Sequence, residues 1–330
     1  MRLALAVFAL LAFVLPASAA AWKADPGPEK IEIILGEWVD ADRDGRAIPY
    51  KIYVPITAKG PRPVVIFSHG LGGSREGAAY LGEHLASWGY VAVHIQHPGS
   101  DRSVWEGMTD PREIIRALTA ATRDLSVLKG RFEDVPSAVD HLIEMNASGP
   151  LAGRLDIDRI GMSGHSFGAV STLTAAGMKL GRRGITEYAE PRFKAFIAYS
   201  PNKPMGARNL DDAFSLLSRP MLHFTGTNDM SPLDKDQPAS DRQIPFRHIT
   251  VPNQYLVVLN GGDHMVFGGE GSKRGGRDTS RDDTFHRLIR EMSVAFWDAY
   301  LMDDPAAKAW LRDGNAAAEL SNNAFYEMRN

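Results

Sequence analysis

Six short apolar runs constrain the fold of this chain most strongly. Each run is nearly continuous in Val, Ile, Leu or Phe, so it suits a strand that is buried on both faces. Segments with helical periodicity separate the runs, and this alternation builds a parallel sheet covered by helices on both sides. The sequence therefore predicts an α/β fold with a mostly parallel central sheet. The runs are Pro63 to Ser68, Tyr90 to Ile95, Arg159 to Ser163, Phe193 to Tyr199, Pro220 to Thr225 and Gln254 to Leu259.

Two further β segments, Ile31 to Val39 and Ala47 to Val54, precede this alternation. The chain has 330 residues, 44% of them hydrophobic, which suffices for one large core. No internal repeat or linker divides it, so we expect a single domain over residues 20–330. The helical segments expected between the strands include Arg75 to Trp88, Phe167 to Ala176 and a long closing helix from about Asp282 to Leu301.

The N-terminal segment, residues 1–19, has the pattern of a cleavable signal peptide. Arg2 precedes an uncharged apolar run from Leu3 to Leu15, and small residues follow at Ala17-Ser18-Ala19. Cleavage after Ala19 or after Ala21 fits this pattern. The alternative, a membrane anchor, needs an apolar run of about 20 residues. We therefore expect a secreted or periplasmic protein with no stable membrane insertion after cleavage.

Charge and cysteine content limit the partners and the chemistry. The sequence has 37 Lys and Arg against 40 Asp and Glu, a net charge of -3, which provides no strong field to attract nucleic acid. It contains no cysteine, which excludes disulfides, thiolate metal ligands and a cysteine nucleophile. His94 and His97 form an H-x-x-H pair, but residues three apart on a strand face opposite sides. We predict neither a metal nor a cofactor.

The segment Gly164-His165-Ser166-Phe167-Gly168 carries the clearest chemical signal. It joins an apolar strand to a helix-compatible stretch, the context in which G-x-S-x-G forms a sharp turn that exposes the serine hydroxyl. A serine needs a base to accept its proton during attack. The sequence therefore predicts Ser166 as a nucleophile.

An acid and a base are expected downstream of the nucleophile, in that order, at strand ends. Asp229 follows the buried segment that ends at Thr225, and His264 follows the strand that ends at Leu259. We predict His264 as the general base and Asp229 as the acid that orients it. Asp263 competes with Asp229, but its place next to the base favours a role in a turn.

Backbone N–H donors for an oxyanion are expected at two turns. The strand ending at Ser68 runs into His69-Gly70-Leu71-Gly72-Gly73, an H-G-x-G-type turn that supplies one donor. The residue after the nucleophile supplies the other. The predicted donors are the N–H groups of Leu71 and Phe167.

Three segments in order resemble the plasma-type platelet-activating-factor acetylhydrolases and bacterial relatives known as predicted dienelactone hydrolases. They are Ile66 to Gly72, Leu85 to Val91 and Gly164 to Gly168, within a resemblance covering roughly residues 48–265. The resemblance implies an α/β-hydrolase fold and an esterase for short or medium acyl esters that needs no cofactor or metal.

The chain departs from these relatives in two places. The plasma-type enzymes carry their acid after the sixth strand, where this chain has Ser200 followed by Pro201. The acid is accordingly expected at Asp229, as in secreted polyester-cleaving and lipase-like hydrolases. Dienelactone hydrolases use a cysteine nucleophile, which this chain lacks.

The connection within residues 97–150 is longer than the sheet requires. It carries two predicted helical stretches, Pro111 to Leu128 and Phe132 to Met145, which form either a small lid over the site or an extra helix on the sheet. The glycine-rich segment Gly268 to Gly276 lacks the order of a phosphate-binding loop and is expected at the surface.

Together these features predict a serine hydrolase that cleaves carboxylic esters through an acyl-enzyme. The partner would be a small-molecule or lipid-like ester, and the sequence does not determine the oligomeric state. Two alternatives remain at this stage: an amidase or peptidase that uses the same residues, and a catalytically silent binding protein with the same fold.

Overall fold

The structure is a computed structural model that describes residues 21–234, 236–269 and 277–330. The expected signal peptide and most of the glycine-rich segment lie outside the described residues. Within the described residues, nine strands form one sheet in the order β1-β2-β4-β3-β5-β6-β7-β8-β9. The strands are β1 (Ile31–Asp40), β2 (Arg46–Pro55), β3 (Arg62–Ser68), β4 (Val91–Ile95), β5 (Leu155–His165), β6 (Phe193–Tyr199), β7 (Met221–Asn228), β8 (Gln254–Asp263) and β9 (Ala324–Arg329).

The centre of the sheet is parallel and its two edges are antiparallel. Strands β3 to β8 pair in parallel, whereas β1, β2 and β9 join through antiparallel pairs. A purely parallel sheet needs cover on both faces, and the apolar strands of this chain meet that requirement. The predicted α/β class with a mostly parallel central sheet is confirmed.

Helices cover both faces of the sheet. On β3, Val64 and Ile66 pack into one buried cluster, while Val65 and Phe67 pack into another on the opposite face. The helices are α1 (Ala79–Ser87), α2 (Pro111–Ala121), α3 (Leu125–Ser148), α4 (Phe167–Ala175), α5 (Leu210–Phe214), α6 (Ile244–His248), α7 (Asp282–Leu301), α8 (Pro305–Arg312) and α9 (Asn315–Leu320). The first cluster includes residues of α3 and α4, and the second includes residues of α1, α7 and α8.

Several element boundaries differ from the sequence prediction. The helical region after residue 110 divides at Thr122 to Asp124, because the Asp124 carboxylate accepts the N–H groups of Ser126 and Val127 and so begins α3. The helix expected from Arg75 begins only at Ala79. The sequence analysis did not predict α8, α9 or β9, which follow the long helix α7.

The two helices of the long connection are buried to different extents. Helix α3 buries ten residues and contacts α4, β5 and β1, so it belongs to the body of the fold. Helix α2 buries only Ala121. Only α2 and the segment before it therefore have the exposure that a lid would need. Among the described residues, no helix is long and apolar enough to cross a membrane.

Candidate active site

Four neighbouring parallel strands are each followed directly by a polar residue, and these four residues form one cluster. Ser166 follows β5, Ser200 follows β6, Asp229 follows β7 and His264 follows β8. Because the carboxyl ends of parallel strands meet at one edge of the sheet, the topology brings these four side chains together. The resulting site lies where ligands bind in open α/β sheets.

Ser166 occupies a strained turn between β5 and α4. Its backbone has φ 56° and ψ -111°, a conformation that L-residues rarely adopt. The turn also brings backbones close together: a Cβ atom on Gly168 would lie 1.9 Å from the carbonyl oxygen of Ser68. A Cβ atom on Gly164 would lie 2.3 Å from the carbonyl oxygen of Gly168. The glycines of the motif are therefore required by close packing, and the turn presents the Ser166 hydroxyl to the site.

The three residues predicted as nucleophile, base and acid form one hydrogen-bonded chain. The Ser166 hydroxyl lies 2.9 Å from His264 Nε2, and His264 Nδ1 lies 2.8 Å from an Asp229 carboxylate oxygen. Asp229 is fully buried and His264 is 7% exposed, whereas Ser166 is only partly buried. In this arrangement Nδ1–H donates to the carboxylate, which leaves Nε2 free to accept the serine proton.

Two hydroxyl groups hold the Asp229 carboxylate. Ser200 donates to one oxygen at 2.9 Å, and Thr225 donates to the other at 2.8 Å. Burial raises the pKa of Asp229, but the hydrogen bond from His264 and the nearby charge of Arg242 outweigh it, so the pKa lies below its usual value. The carboxylate therefore stays ionised and can stabilise an imidazolium.

A buried arginine that the sequence analysis did not identify lies beside this pair. Arg242 is 1% exposed, and its Nε lies 3.5 Å from an Asp229 carboxylate oxygen. Its guanidinium also donates to the Ser200 carbonyl and the Asn202 amide oxygen. It belongs to a short 3₁₀ segment, Ala239–Gln243, with no motif of its own. The segment between the two candidate strands contains two arginines, Arg242 and Arg247, and no sequence pattern distinguishes them.

Asp263 takes no part in this hydrogen-bonded chain. Its carboxylate accepts the N–H groups of Met265 and Val266 and pairs with Arg277 at 2.7 Å. These contacts define the turn that follows His264. The carboxylate that reaches the His264 ring is therefore that of Asp229.

The turn after β3 lies against the serine. A Cβ atom on Gly70 would lie 3.4 Å from the Ser166 Cβ atom. Among the described residues the Leu71 N–H has no acceptor, whereas Gly72 N–H donates to Ser100 at 2.8 Å. Phe167 begins α4, so its N–H is among those that a helix leaves unpaired. The structure thus places both predicted donors in turns that adjoin Ser166.

The two histidines of the H-x-x-H pair bind protein groups. His94 Nδ1 lies 3.0 Å from the Gly77 carbonyl, and His97 bonds Ser68 and Asp134. In the part of the chain that the structure describes, no group of three or more His, Asp or Glu side chains could hold a metal ion.

Comparison with known proteins gives the same relatives as the sequence motifs. A family model described as platelet-activating factor acetylhydrolase, isoform II, matches residues 45–113, from β2 through the Gly70–Leu71 turn to α2. The chain is similar to the platelet-activating factor acetylhydrolases. A protein of that name from Cavia porcellus is 24% identical over 294 residues, which cover 80% of this chain. Another from Canis lupus familiaris is 26% identical over 139 residues, which cover 34% of this chain.

The comparisons confirm the resemblance to platelet-activating factor acetylhydrolases and the α/β-hydrolase fold. The aligned regions span 63% of the Cavia porcellus protein and 31% of the Canis lupus familiaris protein. The likeness to dienelactone hydrolases stays a prediction.

Proposed function

We propose that this protein is a serine esterase that cleaves carboxylic esters with Ser166 as nucleophile, His264 as general base and Asp229 as acid. The observation that carries the proposal is the continuous hydrogen-bonded chain from the Ser166 hydroxyl through His264 to Asp229, with distances of 2.9 and 2.8 Å. The strained turn at Ser166 adds support, because strain of this kind concentrates at functional sites.

Acylation and deacylation follow from this geometry. As Ser166 Oγ attacks the ester carbonyl carbon, its proton passes to His264 Nε2, and Asp229 stabilises the imidazolium. His264 then donates that proton to the leaving alcohol oxygen, so the ester C–O bond breaks and an acyl-enzyme remains. A water molecule next gives a proton to His264 and attacks the acyl carbon. The carboxylic acid leaves, and Ser166 regains its proton.

The negative charge on the tetrahedral oxygen needs preorganised donors. We assign this role to the N–H groups of Leu71 and Phe167. Losing one such donor typically costs about 3 kcal/mol of transition-state stabilisation.

The substrate that we propose is a small-molecule or lipid-like ester with a short or medium acyl chain. Relatives named acetylhydrolases support a short acyl group.

Two largely apolar side chains lie beside the turn after β3. Trp105 donates to the Gly72 carbonyl at 2.8 Å, and Leu118 of α2 lies over Gly72. We further propose that α2 acts as the lid. Leu118→Ala should then change KM for octanoyl esters more than KM for acetyl esters.

The chain would act outside the cytoplasm. This proposal rests on the signal-peptide pattern of residues 1–19. Mass spectrometry of the mature protein, exported by a bacterial host, tests the cleavage after Ala19 or Ala21.

A fluorophosphonate probe tests the proposed nucleophile. It should label the wild type, and Ser166→Ala should abolish the labelling, because only an activated hydroxyl attacks such a probe. Ser215→Ala, at an exposed serine, is the matched control. Labelling that survives Ser166→Ala would remove the central assignment.

Acyl esters of graded length, compared with matched anilides, distinguish an esterase from an amidase. Wild-type protein that reacts with neither the probe nor the substrates would favour a binding protein.

A further inference from the structure

A second serine, histidine and aspartate form a hydrogen-bonded chain beneath the site. The Ser68 hydroxyl lies 2.9 Å from His97 Nε2, and His97 Nδ1 lies 3.0 Å from an Asp134 carboxylate oxygen. All three residues are 0% exposed, so no substrate can reach Ser68. Ser68 is the last residue of β3, directly before the turn that carries Leu71. This buried chain therefore supports the turn.

Arg131 of α3 connects the buried chain to the turn. Its Nη2 donates to the Ser68 hydroxyl at 2.9 Å and also to the His69 carbonyl. Its Nη1 donates at 2.9 Å to the hydroxyl of Ser100, whose carbonyl accepts the Gly72 N–H. The guanidinium thus contacts the turn before Leu71 through the His69 carbonyl and after Leu71 through Ser100, which bonds Gly72.

The same guanidinium also holds the start of α4. Its Nε donates to the Ser171 hydroxyl at 2.9 Å, and its carbon lies 4.6 Å from the centre of the Phe167 ring. The Ser171 hydroxyl in turn donates to the Phe167 carbonyl at 3.4 Å. Arg131 therefore contacts both segments that supply the proposed oxyanion donors.

Packing alone does not explain why a charged residue occupies the buried position of Arg131. It is fully buried, and among the described residues no carboxylate lies within 4.0 Å of its guanidinium. Its negative counterpart is Asp134, three hydrogen bonds away through Ser68 and His97. A buried cation is costly, and well-packed apolar residues often replace such charges without loss of stability. Burial lowers the pKa of Arg131 to about 9, so it remains charged at neutral pH.

We propose that Arg131 is a positioning residue of the oxyanion hole, whose planar guanidinium fixes the distance between the Leu71 and Phe167 N–H groups. The inference rests on the proposed esterase function. A misplaced donor loses most of its effect on the transition state and little on substrate binding.

The test compares Arg131→Met with Arg131→Lys and with Lys129→Met on the exposed side of the same helix. The concentration of active enzyme is determined by complete fluorophosphonate labelling of a separate sample, and kinetics are measured on unlabelled protein. Arg131→Met should lower kcat by about 10- to 100-fold, which is below the loss of a whole donor, with KM nearly unchanged. Affinity for a boronic acid, whose tetrahedral adduct places an oxygen in the hole, should fall in parallel. Arg131→Lys should be intermediate, and Lys129→Met should match the wild type.

Wild-type kcat in folded Arg131→Met would overturn the inference, as would a shifted acid limb of kcat/KM, because that limb reports the acid–base pair. If Arg131→Met does not fold, Ser171→Ala removes one guanidinium contact with little loss of packing. It should still lower kcat several-fold, and an unchanged kcat would count against the inference. Failure of the probe to label the wild type would instead contradict the proposed function, whatever the Arg131 variants do.

Discussion

The hydroxyl of Ser200 lies 2.9 Å from a carboxylate oxygen of Asp229. It also lies 2.8 Å from His264 Nδ1. Because β6 and β7 are neighbours in the sheet, residues directly after either strand can reach the same nitrogen of the histidine ring, Nδ1. The resembling plasma-type enzymes carry their acid after the sixth strand, and this chain has Ser200 there. Two strand ends are therefore geometrically able to supply the acid.

Asp229→Asn should lower kcat by about 10⁴-fold, because an amide cannot hold the required tautomer of His264 or stabilise its protonated ring. Steady-state kinetics of unlabelled, folded protein measure this. Asp263→Asn, Asp211→Asn and Asp212→Asn are the controls and should keep most activity. Near-normal kcat in Asp229→Asn with collapse in one of the others would show that the acid has been assigned to the wrong strand end.

Adding Ser200→Asp to Asp229→Asn should recover at least about 10-fold in kcat, because the new carboxylate starts from a position within hydrogen-bonding distance of Nδ1. Ser200→Asp alone should be less stable than the wild type, since two buried carboxylates would then share one site. The comparison of the double variant with Asp229→Asn is the measurement. No recovery in a folded double variant would mean that the end of β6 cannot support the acid here.

Arg242→Met should destabilise the fold by about 3–5 kcal/mol, because it leaves the buried Asp229 carboxylate without the buried cation whose Nε lies 3.5 Å away. Urea unfolding at neutral pH measures this loss. Arg116→Met, at an exposed arginine of α2, is the control.

Glu291 should make the fold less stable as the pH rises. It is fully buried on α7, where it accepts the Trp22 N–H at 2.6 Å and pairs with Arg287 at 2.9 Å. Burial raises its pKa from 4.5 to about 7. Because its pKa is raised in the folded state, Glu291 contributes stability to the fold that is fully present below the unfolded-state pKa of 4.5. This contribution is lost as the pH rises from about 4.5 through about 7.

Glu291→Gln should therefore lose less stability than the wild type between pH 5 and 8, because the amide stays neutral over this range. The difference between the two losses in free energy of unfolding should be on the order of 2 kcal/mol. Urea unfolding at the two pH values measures it, and Glu144→Gln, at an exposed glutamate, should follow the wild type. Parallel slopes for Glu291→Gln and the wild type would contradict the assignment.

The sequence predicts the central sheet well because buried strands carry a strong local signal. It also predicts Ser166, Asp229 and His264 as a group, since each directly follows a strand and the order of the strands brings their ends together. Strand β9 was missed because Ala324–Arg329 mixes polar and apolar residues without alternation. Arg131 and Arg242 were missed because no local pattern marks an arginine whose partners lie on other segments of the chain. Their importance arises only from long-range contacts.

The buried chain of Ser68, His97 and Asp134 has nearly the same interatomic distances as the chain that ends at Ser166. A search for hydrolases by a three-residue distance template would therefore return two matches in this one protein. What separates them is access: one serine opens to solvent and the other is sealed beneath a turn. In surveys of unassigned α/β proteins, solvent access to the serine oxygen should accordingly be a criterion equal in weight to the hydrogen-bond distances.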